Sequence, residues 1–217
     1  METSITFGKF RWAYYKDLRH IVINAFRWQS FSTSKWNIQL FSHVYLLGCL
    51  SLSNFSCIAL LDEQPIGVIL GRANSSFRPS LKLPIRLLYV VMVMLTLVFV
   101  YPNKNDRQAL KTESVLERTS RKLLRLYGKP LDGELTLLAL DSNHRGKGIG
   151  QSLLQSFKVF MKSQQSKDFY LYTETKISTF SFYEKQGLIV IGEEEIKTNI
   201  GNQTFEAKVM LFKGTID

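Results

Sequence analysis

At 217 residues, with 45% hydrophobic and 21% charged side chains, the chain is long enough to bury a core, and it has the composition of neither a disordered segment nor a disulfide scaffold. Cys49 and Cys57 lie among apolar neighbours at no metal-ligand spacing, and the three histidines, His20, His43 and His144, are scattered, so buried free thiols and no metal site are expected. The formal net charge of +10 has no nucleic-acid motif beside it, which turns the reading away from nucleic acid.

In chain order, Ser4 to Phe10 reads as a first strand, and Tyr14 to Ala25 as a helix that places Leu18, Ile21, Val22 and Ala25 on one face. Ser34 offers an N-cap to a second helix through Ile38, Phe41, Val44, Tyr45 and Leu47, ending near Gly48. Phe55 to Leu61 and Ile66 to Gly71 are apolar runs joined by Asp62-Glu63-Gln64-Pro65, a hairpin signal. Met1 to Lys16 has no apolar core of the kind a secretory leader needs, so a cytoplasmic location is the expectation.

Leu87 to Tyr101, LLYVVMVMLTLVFVY, is almost wholly apolar, with Arg86 before it and Lys104 and Arg107 after it. Fifteen residues fall short of the ~20 that span a bilayer as a helix. A buried or dimer-forming helix is the first expectation. A strand pair in the core and a surface over residues 85–104 that contacts an anionic membrane are the alternatives. The surrounding charge is basic, since residues 61–130 hold 12 Lys and Arg against 5 Asp and Glu. A solvated face accounts for such an excess as well as an anionic partner does.

Ser114-Val115-Leu116-Glu117 has the form of a capping box, which predicts a helix from Val115 to Tyr127 with Leu116, Thr119, Leu123 and Leu126 as its stripe and Gly128 as its stop. Leu135, Leu137, Leu138 and Leu140 form a short buried strand, and Leu153, Leu154, Phe157, Phe160 and Met161 recur at helical spacing. Between them lies Arg145-Gly146-Lys147-Gly148-Ile149-Gly150. Unpaired N–H groups and the positive end of a helix dipole meet at such a junction, so it suits a phosphate or pyrophosphate. The spacing is neither that of a nucleoside triphosphate loop nor that of a dinucleotide fingerprint. Further on, Asp168 to Thr173 reads as a strand, and Ser178 begins a helix that Gly187 ends. Leu188 to Gly192 and Phe205 to Phe212 are two more strands, with the acidic run Glu193 to Glu195 leading out of the first and Asn199, Gly201 and Asn202 supplying a turn.

Two of these stretches carry a family likeness. Arg145-x-x-Gly148-x-Gly150 after a strand resembles the acetyl-coenzyme A loop of the GNAT superfamily of N-acetyltransferases, and Phe182-Tyr183-Glu184-Lys185-Gln186-Gly187-Leu188 resembles the segment that follows its fifth strand. The resemblance implies one α/β domain over residues 1–217, a mixed, mostly antiparallel sheet flanked by helices. The fifty-eight residues from Arg72 to Lys129, where the family needs one helix, make about 73–112 an unusual insertion. It implies acetyl-coenzyme A as co-substrate in a gap between the fourth and fifth strands, and direct transfer of its acetyl group to a primary amine of a small molecule or peptide.

The roles follow from the same likeness. The amides of Arg145, Gly146, Lys147, Gly148, Ile149 and Gly150 hold the pyrophosphate. Leu138 and Leu140 pair with the pantetheine arm, and an amide near Leu140 polarises the thioester carbonyl. Tyr183 returns a proton to the departing thiolate, although its spacing alone suits a core aromatic better. For the base, Glu134, Glu174, His20, His43 and a water chain are all open. The chain departs from the family pattern at Ser142, Lys176 and Thr179. A coenzyme-binding regulator without turnover and a membrane-associated acyltransferase anchored through 87–101 are the competing functions.

Overall fold

A computed structural model describes residues 4–26, 28, 34–78, 82–100, 104–175, 180–200 and 203–216. Seven strands form one sheet: β1 (Ile5–Gly8), β2 (Phe55–Leu61), β3 (Gln64–Ala73), β4 (Gly133–Leu140), β5 (Asp168–Glu174), β6 (Ile189–Ile200) and β7 (Gln203–Thr215). They lie in the order β1-β2-β3-β4-β5-β7-β6. Every neighbouring pair is antiparallel except β4 with β5, which is parallel. The helices are α1 (Tyr15–Ala25), α2 (Lys35–Leu52), α3 (Leu83–Phe99), α4 (Lys104–Tyr127), α5 (Ile149–Ser163) and α6 (Phe180–Lys185).

The apolar pattern of the strands sets the layers. On β3, Val68 and Leu70 pack with Leu18, Val22 and Leu46 of α1 and α2, while Ile69 packs with Leu153, Phe157 and Met161 of α5; Ile66, the extra residue where the register with β2 shifts, joins the α5 side as well. Strand alternation thus feeds two cores, one on each sheet face. Gly71 has no room for a side chain, because an added Cβ would stand 2.4 Å from the Phe157 ring. A third cluster sets Leu123 of α4 against Ile196, Phe205, Val209 and Leu211 of β6 and β7.

The hairpin of β2 and β3 turns on Asp62 and Glu63 alone, both with positive φ (49° and 64°), a two-residue turn whose twist matches the strands. The Ser34 hydroxyl accepts from the Asn37 amide at 3.3 Å, so the predicted cap of α2 is present. That helix continues past Gly48 to Leu52. Gly48 is instead where the Tyr89 ring of α3 rests, 3.3 Å from where a Cβ would be.

Three expectations are corrected. The helix before the central strand starts at Lys104, and Ser114 lies inside it, its hydroxyl donating to the Leu110 carbonyl at 3.0 Å. The capping-box pattern therefore marks no helix start, because a mid-helix serine can turn its hydroxyl back on the preceding turn. The acidic run Glu193 to Glu195 lies within β6, where Lys122 pairs with Glu194 at 2.9 Å and Lys208 with Glu193 at 3.2 Å. The apolar stretch 87–101 is neither mostly buried nor extended: residues 87–99 belong to α3, Thr96 and the C-cap Val100 are the buried residues there, and Tyr101 lies outside the described residues. Ser178, Gly201, Asn202, Lys176 and Thr179 lie outside the described residues.

Candidate active site

The site begins with a fault in β4. Leu70 pairs with Leu137 and Gly71 with Leu135, leaving Thr136 as an extra residue, a β-bulge. Its effect shows in the packing. Leu135 joins the α5-side core, whereas Leu137, two residues on, joins the α1/α2-side core, which regular alternation forbids. From α2, the Ser53 and Thr136 hydroxyls share a hydrogen bond of 2.7 Å, and the Cys49 thiol donates to the Thr136 carbonyl at 3.7 Å.

The bulge also opens the sheet. Among the described residues, β4 pairs with β5 at Glu134 opposite Tyr170, while β5 stays paired with β7 along its whole length from Asp168 to Glu174. Beyond the bulge the two parallel strands diverge. The Asp141 amide donates to the Ile66 carbonyl at 2.9 Å, and antiparallel alternation then turns the amides of Ala139 and Leu137 toward β3 as well. Those of Leu138 and Leu140 point the other way, into the gap.

At the end of β4 the chain makes a 3-10 turn, Ser142–His144, held by the Asp141 carboxylate, which accepts from the Asn143 amide at 2.8 Å. Gly146 and Gly148 both have φ of +77°, and a Cβ at either would meet nothing within 4 Å. Gly148 is the N-cap of α5 and provides no side-chain cap. The first bond into the helix is Ser152 N–H to Gly148 C=O at 3.0 Å, so the amides of Ile149, Gly150 and Gln151 have no acceptor within the helix. Arg145 and Lys147 are exposed beside them, while the Ile149 side chain is a core anchor. Gly150 differs from its two neighbours: its Cα faces the Phe182 ring, 3.5 Å from an added Cβ, which is ordinary contact.

A cavity of about 150 Å³ lies at the gap. Its walls include Leu135 to Leu138 of β4, Leu171 to Glu174 of β5, Tyr45, Tyr183, and the carboxylates Glu113 and Glu117 of α4. Glu113 is exposed by surface area, but its carboxylate lines the cavity together with those of Glu117 and Glu174. Poor solvation, then Glu174, then Glu117 raise its pKa to about 7. The Tyr183 ring packs on Phe182 and Phe212, with centroids 5.3 and 5.7 Å away, and burial holds its phenol protonated well above the ordinary tyrosine range.

The other residues singled out lie apart from this cavity. Glu134 stands at the closed end of the gap, paired with Arg72 at 2.8 Å and accepting from the Tyr170 hydroxyl at 3.0 Å. His43 is bonded to Arg19 and to the Tyr15 hydroxyl, the latter at 2.9 Å, and burial followed by the Arg19 charge lowers its pKa to about 4. Cys49 and Cys57 are buried free thiols, and burial raises Cys49 to about 12, out of reach of a nucleophilic role. Among the described residues no three His, Cys, Asp or Glu gather as metal ligands. Sequence reasoning missed Glu113 and Glu117. Their i,i+4 spacing puts both on one helix face, but only when the helix is known to begin well before Ser114.

Residues 124–208 match the profile of the Acetyltransferase (GNAT) domain family. No curated protein matches the chain by sequence. Similar solved structures include PH1933 from Pyrococcus horikoshii OT3 (12% identity, 99% of each chain, TM-score 0.60). An N-acetyltransferase from Staphylococcus aureus Mu50 is similar too (11% identity, 99% of this chain and 100% of that one, TM-score 0.56). So is a ribosomal-protein-alanine N-acetyltransferase from Brucella melitensis (14% identity, 97% and 99%, TM-score 0.54). At these identities the structural likeness speaks for the fold, which is the mixed, mostly antiparallel sheet expected.

Proposed function

The chain carries a GNAT acetyltransferase domain, and from that premise we propose that it transfers an acetyl group from acetyl-coenzyme A directly to a cationic primary amine. One observation carries the reading: the outward amides of β4 and the uncapped start of α5 lie at the two ends of one short stretch, Leu138 to Gly150, beside a cavity lined with carboxylates. The residues fit the coenzyme. Gly146 and Gly148 leave open space for a pyrophosphate at the α5 amides, with Arg145 and Lys147 as counter-charges. The exposed edge at Leu138 and Leu140 can take an amide-bearing arm as an added strand, and the Leu140 region supplies an N–H where charge develops on the thioester oxygen.

The remaining tasks are proton transfers. An alkylammonium drawn in by Glu113, Glu117 and Glu174 must lose a proton before its lone pair can attack the carbonyl carbon. Glu113, with its pKa near 7, is the group poised to accept it, directly or through water. As the C–S bond breaks, the Tyr183 O–H gives its proton to the thiolate, and the second proton of the newly acylated nitrogen restores the phenol, directly or through water. Glu134, held by Arg72 and Tyr170, braces the closed end of the strand gap in this reading.

The test is release of free thiol from acetyl-coenzyme A against a panel of amines. Turnover with diamines and other cationic amines, and little with amines bearing carboxylates, is expected. Calorimetric binding of acetyl-coenzyme A without turnover of any amine would leave the regulator in its place.

A further inference from the structure

The outer side of α3 is the anomaly of this molecule. Leu83, Leu87, Leu88, Val90, Val91, Met94, Leu97, Val98 and Phe99 are all exposed, between 41% and 63%. The inner side holds the polar groups: Thr96 is buried with its hydroxyl bonded to the Met92 carbonyl at 2.8 Å, and Tyr89 lies against Gly48 of α2. A surface helix normally points its apolar stripe inward. This one turns Thr96 and Tyr89 inward and leaves its apolar stripe outside, so the side away from α2 is built for a cover other than water.

Charge indicates the cover. Arg78, Lys82 and Arg86 precede or begin α3, Lys104 follows it, and there is no Asp or Glu from residue 64 to residue 105. The same cations also argue against a second copy, because pairing two α3 helices side by side would bring basic ends near each other with no acid between them. An anionic lipid surface accepts both features, the acyl region taking the apolar face and the headgroups the cations. Lys82 is half-buried, its pKa lowered by burial, as for a lysine whose stem lies along apolar surface. Among the described residues no helix is long and apolar enough to cross a membrane, so α3 lies along the surface, with ~25 Å of helix by its rise per residue.

We infer that α3 is an interfacial helix that docks the enzyme on an anionic membrane surface. It does so with its outer apolar face among the acyl chains and Lys82, Arg86 and Lys104 at headgroup height. The inference stands apart from the acetyltransferase reading and does not use its site.

Sedimentation of the full chain with phosphatidylcholine vesicles, with and without phosphatidylglycerol, tests it. Binding to the anionic vesicles is expected. It falls about fivefold for each of Lys82→Ala and Arg86→Ala, as ~1 kcal/mol per surface cation requires. The double variant V91E/V98E is expected to stay in the supernatant, with an unchanged circular dichroism spectrum because both side chains point away from α2. Equal binding to the vesicles without phosphatidylglycerol would overturn the anionic surface. Failure to bind either vesicle would overturn the inference altogether, whether the chain then runs as a monomer or as a dimer that V91E/V98E dissociates.

Discussion

The Ser53 hydroxyl at the end of α2 meets the hydroxyl of Thr136, the bulged residue of β4, at 2.7 Å. Through that contact a helix on one face of the sheet fixes the point where two parallel strands part. The hydroxyl of Ser53 also donates to the Cys49 carbonyl at 2.7 Å, so the clamp is tied to the helix it comes from. Replacing Thr136 by valine keeps the shape and loses the bond. A destabilisation of about 1 kcal/mol by denaturant unfolding is expected. Acetyl-coenzyme A affinity is expected to fall with it, since the outward amides of Leu138 and Leu140 depend on the bulge. Unchanged affinity in the destabilised variant would show that the gap holds its shape without the clamp.

The glycines of the loop divide into two kinds. Gly148→Val forces a β-branched residue to φ +77° and fills the space beside the α5 amides, so calorimetry is expected to show at least about tenfold weaker acetyl-coenzyme A binding. Gly150→Ala adds a methyl in ordinary contact with Phe182 and is expected to bind as the parent does. Equal losses in both would mean that the three alternate glycines act alike.

Tyr183 packs against Phe182 and Phe212, and removing only its oxygen leaves that packing in place. Tyr183→Phe is expected to lower kcat about 100-fold with little change in coenzyme affinity, the signature of a lost proton donor. A parent-like kcat would return Tyr183 to the core.

The raised pKa of Glu113 affects both activity and stability. The folded chain holds this proton up to about pH 7, whereas the unfolded chain releases it near the ordinary carboxylate value. Between those values the folded state binds more protons, so this group favours folding at low pH and the benefit is lost as pH rises through about 7. Glu113→Gln is therefore expected to raise the Tm relative to the parent at pH 8 more than at pH 5. Activity runs the other way: the parent rate is expected to climb through about pH 7 as the base ionises, and that limb is expected to vanish in the glutamine variant, with kcat lower by ~10²-fold or more. A limb that survives would place the base elsewhere.

Much of this protein was legible in its sequence because the signals are local. Helix periodicity, the Ser34 cap and the glycine loop each depend on residues a few positions apart, so among the described residues most helices and strands fall near where periodicity puts them, α4 and β6 reaching further than expected. What only the tertiary structure decided depends on residues far apart. The bulge at Thr136 hides inside a stretch that reads as one continuous strand, because a strand's register belongs to its partner as much as to itself. The start of α4 was misread because a capping pattern can recur within a helix, and with it Glu113 and Glu117 went unseen. The apolar run of α3 showed that a surface needed covering, but periodicity cannot tell a core from an interface. Which side of that helix meets α2, and which is left bare, is settled only when the two pack together.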